Sequence, residues 1–563
     1  MTDTRAALIV ALVAFAAYAA GLGWGLPHAT GPDRVDSWGV DDEAPLGPLA
    51  EIHNIIEPKA NRNLGYPLLY SFVVAAAYSP YFAYLWATDG VRDLTPLFPF
   101  GLADPVSSLR TLALIAHLVT ALMATAVVLG AFAAAHLAWG RRAGVIAALF
   151  AMTASPMFYY ARTGNVDVPM LCFIALAFAA FAYIVVLGHT VRRAVLLGAL
   201  VGLALATKEA AFGAFLGMPF VVLGVYRKQH PELAIGDWRF WKPHVLALGA
   251  ALLALGAGSG LFVEPGRYLA HLRYLTSRVT MMAEGNVTAP VATFSFTLSG
   301  HAEYAWTTVA GLTSILTVGG LALALAGIVI SATRRERAAL LILPALTYLA
   351  YIFITLRVAQ FRYLLPAAFL LAPFAARGTL AAWQARSAAV RVAGLSVAAL
   401  VLVVQSLRGA DLTYQMINDS RFAAGRWLTQ HARPGDRIEY FGPSQKLPPL
   451  DAEWPTERAA EYRGMYVQAR VDDAMVKEIL AGWRERGTRF VIELPDHTSP
   501  PGVPHSHTFP PSLFDDMLRD LHGFRLVARF RTPPLFPWLP AIPLDYPTVN
   551  PPIHIFEAVH DPG

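Results

Sequence analysis

Cysteine, lysine and charge are all scarce in this chain. Cys172 is the single cysteine among 563 residues. It lies in an apolar run, which excludes a disulfide framework and a cysteine-based zinc site. Only six of the 44 basic residues are lysine: Lys59, Lys208, Lys228, Lys242, Lys446 and Lys477. The net charge of +5 is mostly loop arginine. It reads as a topology signal, and no nucleic-acid partner is expected. Charged residues make up 15% of the chain against 56% hydrophobic ones, and they are unevenly placed. Residues 411–563 hold 36 of them, so the first 410 positions carry about half the charge density of a soluble protein. A soluble globule cannot hide that much apolar surface. The expected fold class is a multi-pass α-helical membrane domain, 1–410, followed by a soluble α/β domain, 411–563.

A helix needs about 20 apolar residues to cross the hydrocarbon. Candidate spans fall near 6–26, 66–88, 107–138, 143–160, 168–188, 194–207, 209–226, 243–263, 304–330, 338–356, 363–376 and 390–407, and 11–13 crossings are expected. The first is read as an uncleaved helix, because Gly23-Trp24-Gly25-Leu26-Pro27 resembles an interfacial exit and no small-x-small cleavage site follows. Arg141-Arg142, Arg192-Arg193, Arg227-Lys228, Arg239 with Lys242, Arg334-Arg335 with Arg337, and Arg377 with Arg386 read as cytoplasmic. The turns between them, 161–167, the one near Lys208, 264–303 and 357–362, then face outward with loop 27–65 and the C-terminal domain. The expected location is the plasma (inner) membrane. One parity conflict falls on 66–140, where an odd number of crossings is needed and two candidates exist. Segment 66–88, with Pro67, Pro80 and five tyrosines, reads as interfacial or re-entrant.

The outer turns carry the unusual chemistry. Loop 27–65 contains Asp41-Asp42-Glu43, and later Lys59 and Arg62. Adjacent carboxylates at a membrane surface offer a general base or a cation ligand, and a solvated acidic turn explains them equally well. Asp167 opens a span, where a carboxylate also caps free N–H groups. Arg162, five residues earlier, is its potential partner or an anion ligand. Lys208-Glu209 interrupts an apolar stretch, and each charge there costs about 2–3 kcal/mol on insertion scales. Neighbours on a helix point apart, so a local pair is the weaker explanation. Arg362 begins Arg-Tyr-Leu-Leu-Pro at another outer turn, and arginine suits bidentate phosphate recognition. In loop 264–303, Glu264, Arg267, His271, Arg273, Arg278, Glu284, His301 and Glu303 read either as the lining of an acceptor groove or as solvated faces, the latter favoured for most. Acids and cations gathered on one face beside apolar helices suit a substrate with a phosphate head and a lipid tail. A channel would line a path through the midplane, and a transporter would show inverted repeats, which are not found.

These residues resemble a known family. Asp42-Glu43 followed by Gly65-Tyr66-Pro67-Leu68-Leu69-Tyr70, then Tyr160-Ala161-Arg162 leading to Asp167, Gly202–Glu209, and Arg362–Pro366 are similar, in that order, to GT-C glycosyltransferases of the protein O-mannosyltransferase and lipid A aminoarabinose transferase branch. The stretch Asp419–Leu428 through Arg433–Asp436 resembles the start of the soluble domain in many such proteins. The resemblance implies a polyprenyl-phosphate sugar donor, a lipid, glycan or protein acceptor, inversion at the anomeric carbon, and short helices on the outer face. It implies that Asp42 is the catalytic aspartate with Glu43 its companion, and that Asp167 is the second acidic position. Asp41, adjoining Asp42, leaves the base ambiguous by one residue. Lys59, Arg62, Arg162, Lys208 and Arg362 are the candidates for the donor phosphate. The usual His-Pro-Pro is replaced by Gly65-Tyr66-Pro67. No cofactor is expected; a divalent ion held by Asp42 and Asp167 is possible but not favoured. The alternative function is a transporter or flippase of lipid-linked sugars. In the tail, helices are expected at 419–431 and 473–486 and strands at 438–441, 489–494, 524–531 and 553–559. The proline-rich runs 498–511 and 533–552 read as loops.

Overall fold

The computed structural model describes residues 3–29, 31, 34–57, 64–283, 294–356, 360–433, 435–441, 447–449, 456–458, 473–493, 511–542, 544–545 and 548–559. The architecture is a helical membrane domain carrying a small mixed sheet at its C-terminal end. Among the described residues, eight helices are long and apolar enough to cross a membrane. Each of the other four expected spans is also helical: Asp3–Ala19, Leu69–Ala87, Arg141–Thr153 and Val191–Leu205. Three of these are short, at 17, 13 and 15 residues. Leu69–Ala87 is diluted by its tyrosines and Pro80.

Small residues set the packing of the spans. Gly198 and Gly202 of Val191–Leu205 face backbone carbonyls of Ala247 and Ala251 on Trp238–Gly258 so closely that a Cβ would collide with them. Gly327 and Gly378 do the same between Leu298–Thr333 and Phe361–Trp383. Close backbone approach through glycine is the usual device where lipid gives helices no hydrophobic reason to associate. Helix Phe361–Trp383 is enclosed by protein along most of its length. Its Arg377, expected as a topology marker, is buried and bonds Glu336 at 2.5 Å; Trp139 Nε1 and Ser331 Oγ also donate to Glu336.

Two helices lie in segments expected as loops. Leu46–Ile56 follows the acidic triplet, and Pro265–Ala283 occupies much of 264–303. The expectation of solvated charges there fails for two residues. Arg267 is buried and donates to Glu51 Oε2 at 3.1 Å and to Tyr66 O at 2.9 Å. His271 is buried between Glu209 and Leu64 O. An amphipathic helix docked on the membrane domain buries one charged face, which the loop reading did not allow for.

The last long helix, Ala388–Ile417, leads into Ser420–His431 and the sheet. Strands β1 (Arg437–Phe441), β2 (Thr456–Arg458), β3 (Thr488–Glu493), β4 (Phe524–Phe530) and β5 (Ile553–Ala558) run in the order β2-β1-β3-β5-β4. β1 is parallel to β2 and β3, and β5 is antiparallel to β3 and β4. Period-two alternation gives each face its own core. Phe490, Ile492, Ile553 and Ile555 pack with Leu428 of Ser420–His431. Val491 and Phe556 pack with Trp483 of helix Asp473–Glu485 and Met517 of helix Pro511–Leu518. Strand β2 and helix Pro511–Leu518 were not expected; three residues and a proline start carry little periodic signal. The proline-rich run before β5 returns to the membrane domain: Asp411 Oδ1 accepts from Leu535 N at 2.6 Å, and Arg408 Nε donates to Pro540 O at 2.9 Å.

Candidate active site

The acidic loop is pinned from three sides. Trp38 lies against the buried Arg421 guanidinium, 3.9 Å from its ring centre, and Arg421 is paired with Asp419 at 2.8 Å. Val40 N donates to Tyr159 OH at 3.3 Å, and Glu43 N to Gly164 O at 3.1 Å. Asp41 is held at φ 56°, a region that Asp tolerates better than most residues but that still costs backbone energy.

The adjacent aspartates then part company. The Asp42 side chain is fully buried, with Oδ2 2.9 Å from His117 Nε2 and Oδ1 accepting from Ala44 N at 3.1 Å. His117 Nδ1 is 3.0 Å from Leu22 O, a group that only accepts. With Nδ1 turned to Leu22 O, the second imidazole nitrogen, Nε2, faces the carboxylate. Gly164 closes over this pair: a Cβ there would lie 2.5 Å from Asp42 Oδ1. The Asp41 carboxylate, by contrast, is 37% exposed and paired with Arg362 Nη1. Glu43 is pushed up to about 7, first by burial and then by Glu51, Asp41 and Asp42.

Asp167, at the start of helix Asp167–Leu187, is buried between two cations. Lys208 Nζ donates to its Oδ1 at 2.6 Å, and Arg362 Nη1 lies 3.9 Å from its Oδ2. Lys208 sits at the break between Val191–Leu205 and the following helical turn, with its ammonium 5.2 Å from the Tyr66 ring centre and 5.0 Å from that of Tyr363. Burial opposes the Lys208 charge, but Asp167 outweighs it and holds the ammonium above its ordinary value. Arg362 sits at the start of Phe361–Trp383, with Gln360 Oε1 accepting from its Nε at 2.8 Å. Asp41, Arg362, Asp167 and Lys208 thus form a continuous chain of alternating charge.

Not every candidate joins this chain. Arg162 is fully buried, and its guanidinium donates to Tyr18 O, Phe158 O and Ala17 O at 3.1, 2.8 and 2.6 Å. It closes the C-terminal carbonyls of Asp3–Ala19 and is not brought to Asp167 as expected. Glu209 turns to His271 and away from Lys208. Lys59 and Arg62 lie outside the described residues. Among the described residues, no three His, Cys, Asp or Glu side chains converge as a metal site. Asp167 already has a cation at either oxygen, and Asp42 is 2.9 Å from an imidazole, so the two do not form an open ligand pair. His117, Gln360 and Asp545 were not anticipated. His117 had a signal: it is an imidazole in the middle of the apolar stretch 107–138, where such residues are costly, whereas the second, His136, lies at the end of the stretch.

A family model matches part of the chain. Residues 111–257 match the dolichyl-phosphate-mannose-protein mannosyltransferase family. The matched segment carries His117, Arg162, Asp167 and Lys208, and stops short of Asp41, Asp42 and Arg362. No curated protein matches. Among solved structures, the chain is similar to the oligosaccharyltransferase AglB of Archaeoglobus fulgidus in complex with an inhibitory peptide and a dolichol-phosphate, at 12% identity over 99% of this chain and 88% of that one, TM-score 0.46. It is similar to ArnT of Cupriavidus metallidurans bound to undecaprenyl phosphate, at 14% identity over 93% and 96%, TM-score 0.41. It is also similar to a mycobacterial arabinofuranosyltransferase, AftD, at 14% identity over 99% of this chain and 42% of that one, TM-score 0.38.

Proposed function

We propose that this protein is a membrane glycosyltransferase that moves a sugar from a polyprenyl-phosphate donor to an acceptor hydroxyl, with inversion. The reaction is placed on the outer face of the membrane, the side that the basic-loop pattern assigns to the acidic loop and the C-terminal domain. The observation that carries the reading is the charge chain Asp41–Arg362–Asp167–Lys208, built where spans begin and end. The family match over 111–257 supports it, since that family is described by a dolichyl-phosphate sugar donor.

The chemistry follows from the residues. Lys208 and Arg362 are fixed cations, and Asp167 holds both before the donor arrives. Charges preorganised in a dry site stabilise what develops on a departing phosphate at no cost of reorganisation. An incoming phosphate competes with Asp41 for Arg362, so donor binding frees the Asp41 carboxylate. Inversion needs a base on the face of the sugar opposite the leaving group. The sequence resemblance points to Asp42 as that base; the geometry favours Asp41, because its carboxylate is open while Asp42 is sealed against His117. In this reading Asp42 and His117 hold the loop, and Asp41 takes the proton.

The test is turnover by the full chain in lipid nanodiscs, given polyprenyl-phosphate hexoses and pentoses with a membrane-extract acceptor. Release of polyprenyl phosphate with sugar gained by the acceptor is expected. Movement of the intact donor between leaflets, without release, would make the protein a flippase.

A further inference from the structure

Helix Phe361–Trp383 begins without a cap of its own. Gln360 stands at the capping position, yet its side chain gives the helix no hydrogen bond. Its Oε1 is spent on Arg362 Nε, at 2.8 Å. The free N–H groups at this end are satisfied from 184 residues away in sequence. Asp545 Oδ1 accepts from Phe361 N at 2.6 Å, and Oδ2 accepts from Arg362 N at 3.2 Å. Tyr160 OH donates to the same Oδ2 at 2.6 Å. Burial pushes the Asp545 carboxyl up, while the Tyr160 hydroxyl, the Arg362 guanidinium and the two backbone N–H groups pull it back toward the charged form.

Asp545 arrives on the proline-rich run 533–552, which belongs in sequence to the C-terminal domain. This run is tied down on both sides of Asp545. Leu535 and Pro540 are held by Asp411 and Arg408. Thr548 Oγ1 donates to Tyr159 OH at 3.2 Å, and Asn550 N donates to Asp419 Oδ2 at 2.7 Å. Tyr159 also accepts from Val40, just before Asp41. The strap therefore touches Arg362 directly, through Asp545, and the acidic loop through one intermediate, Tyr159.

From this geometry we infer that Asp545 is a positioning residue for Arg362, so that the C-terminal domain supplies part of the phosphate-binding site. Gln360 orients the guanidinium, and Asp545 fixes the backbone from which it projects. A carboxylate at a helix N-terminus satisfies the open N–H groups and complements the helix dipole. The two tasks are separated here because a Gln360 side chain turned to the cap could not also hold Nε. The inference rests on the proposed polyprenyl-phosphate function.

The experiment titrates undecaprenyl phosphate, a polyprenyl phosphate without a sugar, into the full-length protein in nanodiscs, with melting followed in parallel. Four proteins are compared: wild type, Arg362→Gln, Asp545→Ala and Asp411→Asn. The Asp411 variant loosens the same strap at a point remote from Arg362. Asp545→Ala is expected to weaken binding roughly three- to thirtyfold, the range that a lost helix cap corresponds to. Asp411→Asn is expected to lower the melting temperature without changing affinity. If Asp545→Ala does not fold, Asp545→Asn replaces it, since its amide oxygen keeps one acceptor, and weaker binding is again expected. Wild-type affinity in the folded Asp545 variant, or an equal loss in Asp411→Asn, would overturn the inference and leave Asp545 as a brace. Failure of the wild type to bind would overturn the proposed function and this inference with it. Binding lost in Arg362→Gln but kept in Asp545→Ala would remove the inference alone.

Discussion

Replacing Lys208 with methionine removes an ammonium held 2.6 Å from Asp167 Oδ1, with both side chains almost wholly buried. Breaking a buried ion pair from one side costs about 3–5 kcal/mol, because the other charge stays in a dry site. The two single variants are not equivalent. Lys208→Met leaves Asp167 with Arg362 at 3.9 Å, so its cost belongs at the low end of that range. Asp167→Asn leaves two cations facing each other with Asp41 alone to balance them, so its cost belongs at the high end. The double variant removes a positive and a negative charge together and should recover most of the stability, because replacing a whole buried pair by neutral side chains of similar volume is often close to neutral. Donor affinity should behave differently. If Lys208 holds the phosphate, the double variant melts near the wild type yet binds undecaprenyl phosphate at least about tenfold more weakly. Melting curves and binding titrations on the same preparations separate the two effects. Recovery of both stability and affinity in the double variant would refute Lys208 as a phosphate ligand and leave the pair structural.

Three further outcomes follow from the geometry. Gly164→Ala puts a methyl group 2.5 Å from Asp42 Oδ1 and 3.0 Å from Ala44 Cβ; overpacking of this kind costs about 1–3 kcal/mol, and a melting temperature equal to the wild type would mean that the loop is not closed there. Glu43, raised to about 7 from an ordinary 4.5, binds a proton more tightly in the folded protein; stability should therefore fall by ~3 kcal/mol as pH rises from about 4.5 to 7 and level off above. In Glu43→Gln that slope should vanish, which melting across pH checks. Arg162→Met should lower stability by removing the guanidinium that closes Asp3–Ala19, while the folded fraction keeps wild-type donor affinity; a selective loss of affinity would restore Arg162 to the site.

Much of the fold was legible because its signals are local. Each of the twelve apolar runs falls on a helix, and four of the five strands fall where strands were expected. The helices Leu46–Ile56 and Pro265–Ala283 lie in stretches read as loops, because short outer-face helices were implied by the family resemblance alone, without positions. Of the site, Asp41, Asp42, Glu43, Asp167, Lys208 and Arg362 were all named, since a charge between apolar segments needs an explanation. Their partners were not readable. Asp167 chooses Lys208 over Arg162, and Glu209 chooses His271, through contacts across the bundle that carry no sequence period. Asp545 is the extreme case. It is one acid in a proline-rich run, and only the path of that run over Phe361–Trp383 gives it a role.

In the proposed mechanism the open carboxylate, Asp41, is the base and the sealed one, Asp42, is not. The most direct measurement is the rate of sugar transfer from a polyprenyl-phosphate sugar by Asp41→Asn and Asp42→Asn, each in folded protein that binds undecaprenyl phosphate. General-base catalysis contributes about 10²–10⁴-fold. Asp41→Asn should lose that much in kcat while still binding, and Asp42→Asn should lose stability first and rate in smaller measure. Full turnover by Asp41→Asn, with the loss falling on Asp42→Asn, would make Asp42 the base.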